Sequence, residues 1–221
     1  MNYRAKLSSW DSDLFKFRGG TLNLAHVPKI SRIREDNEKE FDVIFVKTPG
    51  WADVSGVQAL DYRYDMELSD SKKEAEKHAI IPTECVLSDH LRIASTSFVD
   101  SRFNFDPHLK SRAYEVYPRW LTAASKIYVL ARLNQKDAFI AVEDDGPDAR
   151  RICLIAVSDK LRSSGIGRTL VRGMFDFEKK RIWRVRVSAR NYRAIRFYET
   201  LGFRMKEVST AFHVWTHEDE S

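Results

Sequence analysis

The sequence predicts an α+β protein with a mixed, mostly antiparallel central sheet, preceded by a smaller α/β unit. Three observations carry this prediction. Strand-like runs at 127–133, 137–143 and 151–157 follow one another through short polar connections, which makes them antiparallel neighbours. Helix, strand, helix and strand patterns come after them, so the second half reads βββαβαβ. A strongly polar stretch at 69–77 separates that half from a first half of shorter elements, and the boundary is drawn near residue 80. At 221 residues the chain has room for one large domain or two small ones.

In chain order, Phe15 to Leu24 mixes alternation with a Gly-Gly pair and reads as a strand or hairpin. Pro28 can open a helix, and Ile30 to Lys39 is polar enough to be an exposed one. The β-branched and aromatic run from Phe41 to Thr48, stopped by Pro49-Gly50, reads as a buried strand. Ala52 to Leu60 is expected as a short helix, and Tyr62 to Leu68 alternates like a half-exposed strand. His90 to Phe98 is helical. Ala113 to Ser125 sets Tyr117, Trp120 and Leu121 on one helix face, with Pro118 kinking or restarting it. After the three strands, Ser164 to Lys180 is a helix with Ile166, Leu170, Met174 and Phe177 on one side. Ile182 to Ser188 alternates as a strand, Asn191 to Leu201 is a helix stopped by Gly202, and Glu207 to Thr216 closes the sheet.

Composition excludes several classes. Hydrophobic residues make up 43% and charged residues 31%, which fits a globular protein and rules out wholesale disorder. No apolar run is long enough to cross a bilayer, and the N-terminus lacks the apolar core of a secretory signal. Two cysteines, Cys85 and Cys153, build no disulfide framework and stand in no metal-ligand spacing. The simplest address is the cytoplasm. Charge is uneven: residues 1–100 carry 14 Lys/Arg against 17 Asp/Glu, whereas residues 101–221 carry 23 against 15. The basic half points to an anionic partner, whether nucleic acid, a membrane surface or a phosphorylated small molecule. The densest stretch, Lys179 to Arg196, lacks the interleaved aromatics or zinc pattern of a nucleic-acid module, so no nucleic acid is expected.

The strongest local feature is a strand that runs into Arg162-x-x-Gly165-x-Gly167 and at once into a helix. Glycines let the backbone approach an anion, and free N–H groups at a helix start favour negative charge. The turn is not a P-loop, since no Gly-Lys-Ser/Thr follows, and it lacks the third glycine of a dinucleotide fingerprint. Further on stands Asn191-x-x-Ala-x-x-Phe-Tyr-Glu-x-x-Gly-Phe203. Together the two motifs resemble the GNAT N-acetyltransferase superfamily over residues 127–216. That resemblance implies a truncated GNAT-like unit at 1–80 and a GNAT acetyltransferase domain at 81–221. It also implies acetyl-CoA as cosubstrate, no metal, a small-molecule amine acceptor, and an arrangement compatible with a homodimer. Trp10-Asp-Ser-Asp-x-Phe, Ser101-Arg-Phe-Asn-Phe-Asp-Pro and Tyr117-x-x-Trp120 further resemble acetyltransferases of the dTDP-fucosamine type, which acetylate the amino group of a nucleotide-linked amino-deoxy sugar. The sequence departs from that pattern at Val187-Ser188, where Thr-Gln is usual.

The resemblance assigns roles. Ile155, Ala156 and Val157 offer backbone groups to the pantetheine arm and an N–H to the oxyanion. Arg162, Ser163, Ser164, Gly165, Ile166, Gly167, Arg168 and Thr169 form the pyrophosphate turn. Asn191 bonds the pantetheine end or caps its own helix, and Asn is a favoured cap. Tyr198 is the proton donor to the leaving thiolate, against the alternative of a ring packed beside Phe197 and Phe203. Cys153 reads as a small buried hydrophobe and not a nucleophile. Glu67, His213 and Asp100 are open as general bases. Trp10 and Arg102 are the candidates for an acceptor's base and diphosphate, although Arg102 equally suits a cap on its own turn. Another small amine, such as a polyamine or aminoglycoside, is the alternative acceptor, and would call for an acidic pocket.

Overall fold

The computed structural model describes residues 3–69, 80–83, 87–124, 126–130, 136–178, 180 and 182–217. Ten strands form one sheet: β1 (Lys6–Leu7), β2 (Gly19–Asn23), β3 (Val43–Pro49), β4 (Gln58–Ser69), β5 (Ile80–Thr83), β6 (Lys126–Leu130), β7 (Ala138–Asp144), β8 (Ala149–Val157), β9 (Ile182–Ser188) and β10 (Arg204–Trp215). Their spatial order is β1-β2-β3-β10-β4-β9-β8-β7-β6-β5. Only β2–β3 and β8–β9 are parallel, so the sheet is mixed and mostly antiparallel as expected. Among the described residues seven α-helices accompany it: α1 (Ser9–Phe15), α2 (Ile30–Asn37), α3 (Ser88–Ser97), α4 (Arg102–Phe105), α5 (Val116–Ala123), α6 (Ile166–Glu178) and α7 (Tyr192–Thr200).

The two halves of the chain share this sheet. β4 precedes residue 80 in sequence, yet lies between β9 and β10, antiparallel to both. β10 in turn pairs with β3 on its other side, through seven residues from Ser209 to Trp215. The polar stretch expected at 69–77 falls almost wholly outside the described residues, as does Cys85.

The strand period of two explains how β4 and β9 serve both faces. Tyr64, Met66 and Leu68 face one side with Trp183, Val185 and Val187, and pack under α6 and α7 against Leu170, Met174 and Phe203. Asp61, Arg63, Asp65 and Glu67 therefore face the other side, together with Arg184, Arg186 and Ser188. There Arg184 pairs with Glu67 at 3.0 Å and Arg186 with Asp65 at 2.7 Å. On that second face α3 and α5 cover β6–β8 around Ile127, Phe139 and Leu154. α1, α4 and the 3-10 helix Lys110–Glu115 cover β3 and β10 around Phe45, Phe103 and Trp215. Between those two covers the sheet is open.

Two expectations fail locally. The residues from Ala52 to Gly56 are not helical: Gly56 and Ala59 both have left-handed φ, +65° and +53°, and β4 begins at Gln58. The Trp51 and Tyr62 rings lie 4.5 Å apart, tilted by 51°, so this segment packs against β4. Nor does Gly19-Gly20 turn a hairpin; it opens β2, while Phe15 ends α1. A Cβ at Gly20 would stand 2.9 Å from the Cβ of Ala5 and 3.1 Å from Ile44 and Phe41, so this glycine serves close packing. Elsewhere the elements fall within a few residues of expectation, and Pro118 sits in the first turn of α5, where the helix restarts after the 3-10 segment.

Candidate active site

The site begins where β8 and β9 part. Their parallel pairing runs from Ala149↔Ile182 to Ile152↔Val185 and stops, although β8 continues to Val157 and β9 to Ser188. At the point of divergence β8 carries a bulge: Ala141 pairs Leu154 and Val142 pairs Ile152, so Cys153 is the extra residue. Beyond it, residues 154–157 stay paired with β7, but among the described residues the β8 edge that faced β9 has no ladder partner, and the backbone groups on that edge are open to the cleft.

Below the split lies a cavity of about 410 Å³, walled by Ile155, Ala156, Val157, Arg162, Gly165 and Phe197, among others. The turn that closes it is left-handed at both Ser163 and Gly165, with φ of 64° and 85°. A Cβ at Gly165 would meet no atom within 4 Å, so no protein neighbour requires a glycine here. Its backbone conformation suits glycine, and the space beside it is open cavity. The first capping bond of α6 runs from the Thr169 N–H to the Gly165 carbonyl at 3.0 Å, which leaves the N–H groups of the helix start without an intrahelical acceptor. Ser163, Ile166, Gly167 and Arg168 also line this cavity. Ser164 and Thr169 do not: their hydroxyls donate to the carbonyls of Leu161 and Gly165 and serve the turn itself. Arg162 donates to Ser97 Oγ at 3.2 Å and pairs with Asp159, and Arg168 donates to Thr200 Oγ1 at 3.2 Å.

A second cavity, about 530 Å³, opens on the charged face of the sheet and shares Ser97, Ile155 and Phe197 with the first. Asn191 and Tyr198 both line it. The Asn191 carboxamide oxygen accepts from the Ala194 N–H at 3.0 Å, so the capping role is present. Tyr198 has its ring wedged edge-on between Phe197 and Phe203, at 5.1 and 5.3 Å, with only 4% of the residue exposed. The ring is packed as the alternative reading has it, and the residue borders the cavity. Among the described residues its hydroxyl has no hydrogen-bond partner. Burial, then the nearby Cys153, hold the phenol well above its ordinary range, so it carries its proton. Cys153 also lines the cavity, where the sequence suggested plain core. Burial, then Glu143, push its thiol up to about 12, which keeps it protonated and a poor nucleophile.

The acceptor side holds residues that sequence reasoning missed. Asp61 accepts from Ser188 Oγ at 2.6 Å, and burial raises its carboxyl above the ordinary range despite that bond. Arg63 and Arg102 stand beside it in the cavity wall, with Tyr117 and Trp120. Trp10 is not in the wall; it lies behind Trp120, ring centroids 5.9 Å apart. Of the three residues considered as bases, Asp100 reaches the cavity, while Glu67 is bonded to Arg184 and Ser69 outside it. His213 is fully buried. It accepts from Arg102 Nε at 3.0 Å through Nε2 and donates from Nδ1 to Asp106 Oδ2 at 2.6 Å. Trp215 Nε1 donates to the same carboxylate oxygen at 3.1 Å. Burial is the largest influence on His213, and Arg102 adds to it; the imidazole is pulled down to about 4 and is neutral. His213 therefore orients Arg102 and takes no substrate proton. One signal for Asp61 and Arg63 was on the page: from 61 to 68, charged residues alternate with Tyr, Met and Leu, which is a strand with one functional face.

Comparison with known proteins agrees with this architecture. The family described as Acetyltransferase (GNAT) domain matches residues 123–205, the segment that contains β6 to α7. No curated protein matches the chain by sequence. A functionally unknown conserved protein from Staphylococcus epidermidis superposes with a TM-score of 0.68 at 11% identity, over 97% of this chain and 92% of that one. A GCN5-related N-acetyltransferase from Kribbella flavida gives 0.53 at 12% identity, covering 96% and 90%. A tandem GNAT protein from the clavulanic acid biosynthesis pathway gives 0.52 at 10%, covering 91% and 76%. At these identities the likeness is one of fold, and the fold is that of GNAT structures, tandem ones included.

Proposed function

With a GNAT acetyltransferase domain at residues 123–205, and hence an acetyl-CoA-dependent acyltransferase, as the premise, we propose that this protein acetylates the amino group of a nucleotide-linked amino-deoxy sugar. The single observation that carries the acceptor class is the charge of the second cavity. Its wall holds Arg63, Arg102, Arg151 and Arg186 against Asp61, Asp100 and Glu143. Arg151 and Arg186 are matched by Asp145 and Asp65, but Arg63 and Arg102 are ion-paired with nothing among the described residues, and this pair suits an anionic acceptor and opposes a polyamine or aminoglycoside. Tyr117, Trp120 and Phe98 give it aromatic surface as well, which suits a nucleobase.

Acetyl-CoA supplies the acyl group as a thioester. The turn at Arg162–Arg168 fits its pyrophosphate, since two left-handed residues and an open space at Gly165 make a cradle that a side chain would fill. The backbone groups of Ile155–Val157 on the edge away from β7 fit the pantetheine amides and offer an N–H to the developing oxyanion. Asp61 is proposed as the group that takes the proton from the acceptor ammonium, a task its raised affinity for protons suits. Tyr198 gives its phenolic proton to the thiolate that leaves. The amine adds to the thioester carbonyl, the C–S bond of the resulting tetrahedral oxyanion breaks, and the nitrogen's second proton passes to solvent, from which Tyr198 is reprotonated. The ammonium thus gives up two protons, one of which replaces the proton delivered to sulfur. The residue runs 1–80 and 81–221 are proposed as a truncated unit and a catalytic unit that contribute to one site, because β4 brings Asp61 and Arg63 to it.

The test follows free thiol released from acetyl-CoA over a panel of amines. A dTDP-4-amino-4,6-dideoxy sugar is expected to turn over, and the same sugar without its nucleotide to be poor. Robust acetylation of polyamines or aminoglycosides, with none of sugar nucleotides, overturns the acceptor assignment.

A further inference from the structure

Four guanidinium groups face the second cavity, and they are not equivalent. Arg186 is bonded to Asp65 at 2.7 Å, and Arg151 is held by both carboxylate oxygens of Asp145 at 3.0 Å. Arg102 uses Nε on His213 and lies over the Phe103 ring, 4.3 Å from its centre, but among the described residues its two terminal nitrogens bond nothing. Arg63 has no hydrogen bond or ion pair at all among the described residues. It is the odd one of the set, a partly buried arginine with five donors and no acceptor.

The surroundings of Arg63 make this costly. Burial is the largest influence on it, and Arg102 and Arg186 push in the same direction, lowering its guanidinium to about 9; Asp61 and Tyr117 oppose them weakly. A side chain selected only for packing would not be kept as a cation between two other cations. Arg102, for its part, is aimed by a buried chain, since Asp106 fixes the His213 tautomer and His213 fixes the guanidinium. An aimed fork beside an unpartnered one is the arrangement that takes a multi-oxygen anion in bidentate fashion.

We propose that Arg63 is the anion receptor of the acceptor site and that, with Arg102 held in place by His213 and Asp106, it binds the diphosphate of the acceptor. This deepens the acetyltransferase reading above and rests on it. His213 and Asp106 are positioning residues in this scheme and touch no substrate. The two free forks are distinct from the Arg162–Arg168 turn, which lines the first cavity, so the protein has two anion sites, one for each substrate.

The test uses the full chain saturated with CoA, so that the cofactor turn is filled, and titrates it with inorganic pyrophosphate by calorimetry and thermal unfolding. One saturable pyrophosphate per chain is expected, with a rise in Tm. In Arg63→Gln the pyrophosphate affinity is expected to fall tenfold or more while CoA affinity stays unchanged. The unliganded variant should melt at or above the wild-type temperature, because a repelled cation has been removed. Arg63→Lys keeps the charge and loses the fork, and serves if the glutamine variant does not fold; its affinity is expected to fall severalfold. Unchanged pyrophosphate binding in the variant that folds, or none in the CoA-loaded wild type, overturns the proposal while leaving the acetyltransferase reading intact. Failure of the wild type to bind CoA defeats that reading, and the proposal with it.

Discussion

Lowering the pH from 7 to 5 sets the buried His213 against the fold. In the native state its Nε2 lone pair accepts from Arg102, so a protonated ring would lose that bond and place two cations in contact. Its folded value is about 4, against 6.5 for the free side chain. Between those limits the unfolded chain binds the extra proton, so stability is full above pH 6.5 and drains as pH falls toward 4. At ~1.4 kcal/mol per pH unit the whole window amounts to about 3 kcal/mol, of which about 2 kcal/mol is lost between pH 7 and pH 5. For a chain of this length that corresponds to roughly 4–8 °C in Tm. Asp11 and Asp61 carry raised values and slope the other way, so the absolute curve is not the readout. The readout is the difference between wild type and His213→Gln, whose amide offers an acceptor and a donor and does not titrate. Chemical unfolding at half-unit steps of pH should show the wild-type slope exceeding that of the variant by about one proton between pH 6 and pH 4.5. Parallel curves would mean that His213 is not held neutral, and the orienting role assigned to it would fall.

Three further outcomes follow from the site. Gly165→Asp places a carboxylate in the open space beside the cofactor turn, at a left-handed position that Asp tolerates better than most residues; calorimetry should find acetyl-CoA binding abolished in a folded protein, and unchanged affinity sinks the turn assignment. Tyr198→Phe removes a hydroxyl with no partner among the described residues and leaves the ring between Phe197 and Phe203, so Tm and CoA affinity should persist while kcat falls about 10²-fold. A wild-type kcat, with chemistry shown to be rate-limiting, returns Tyr198 to a packing role. Asp61→Asn should remove the acid limb of the kcat/KM profile, which in the wild type lies above the ordinary carboxylate range because burial raises Asp61; a profile unchanged in shape would show that another group takes the proton.

The turn on the proposed cofactor side was legible as a turn because it is local. Arg162, Gly165 and Gly167 lie within six residues, so spacing alone reports the turn, while the pyrophosphate role proposed for it rests on the resemblance. Asn191 and Tyr198 sit seven residues apart on one helix, again within reach of a period argument. The acceptor side was not legible, because its residues meet only through strand order. Arg63 touches the same cavity as Arg102 and Tyr198, and no periodicity links the three. Trp10 was read as a cavity residue from its aromatic type, but α1 turns it against Trp120, where it packs. His213 looked like a base by type as well; only the partners on both ring nitrogens, one of them Asp106 over a hundred residues away, reveal its task.

The insertion of β4 explains both the failure and the function. A strand placed between β9 and β10 must be apolar toward α6 and α7, which is why Tyr64, Met66 and Leu68 are what they are. Its other face is free of that demand precisely where α3–α5 on one side and α1–α4 on the other leave the sheet uncovered. Charges there are either paired along the strands, as Arg184 with Glu67 and Arg186 with Asp65, or, as with Arg63, without an ion pair among the described residues. The pairs nearest the core of the charged face are thus the ladder's own cross-strand contacts. Arg63 lies one register step toward the cleft from Asp65, opposite Ser188, whose hydroxyl is already given to Asp61. Its neighbour on the other side, Ser209 of β10, is buried with a hydroxyl that likewise bonds nothing among the described residues, so in the proposed scheme the guanidinium is satisfied by what enters the cavity, and the N-terminal unit joins the site through this one strand.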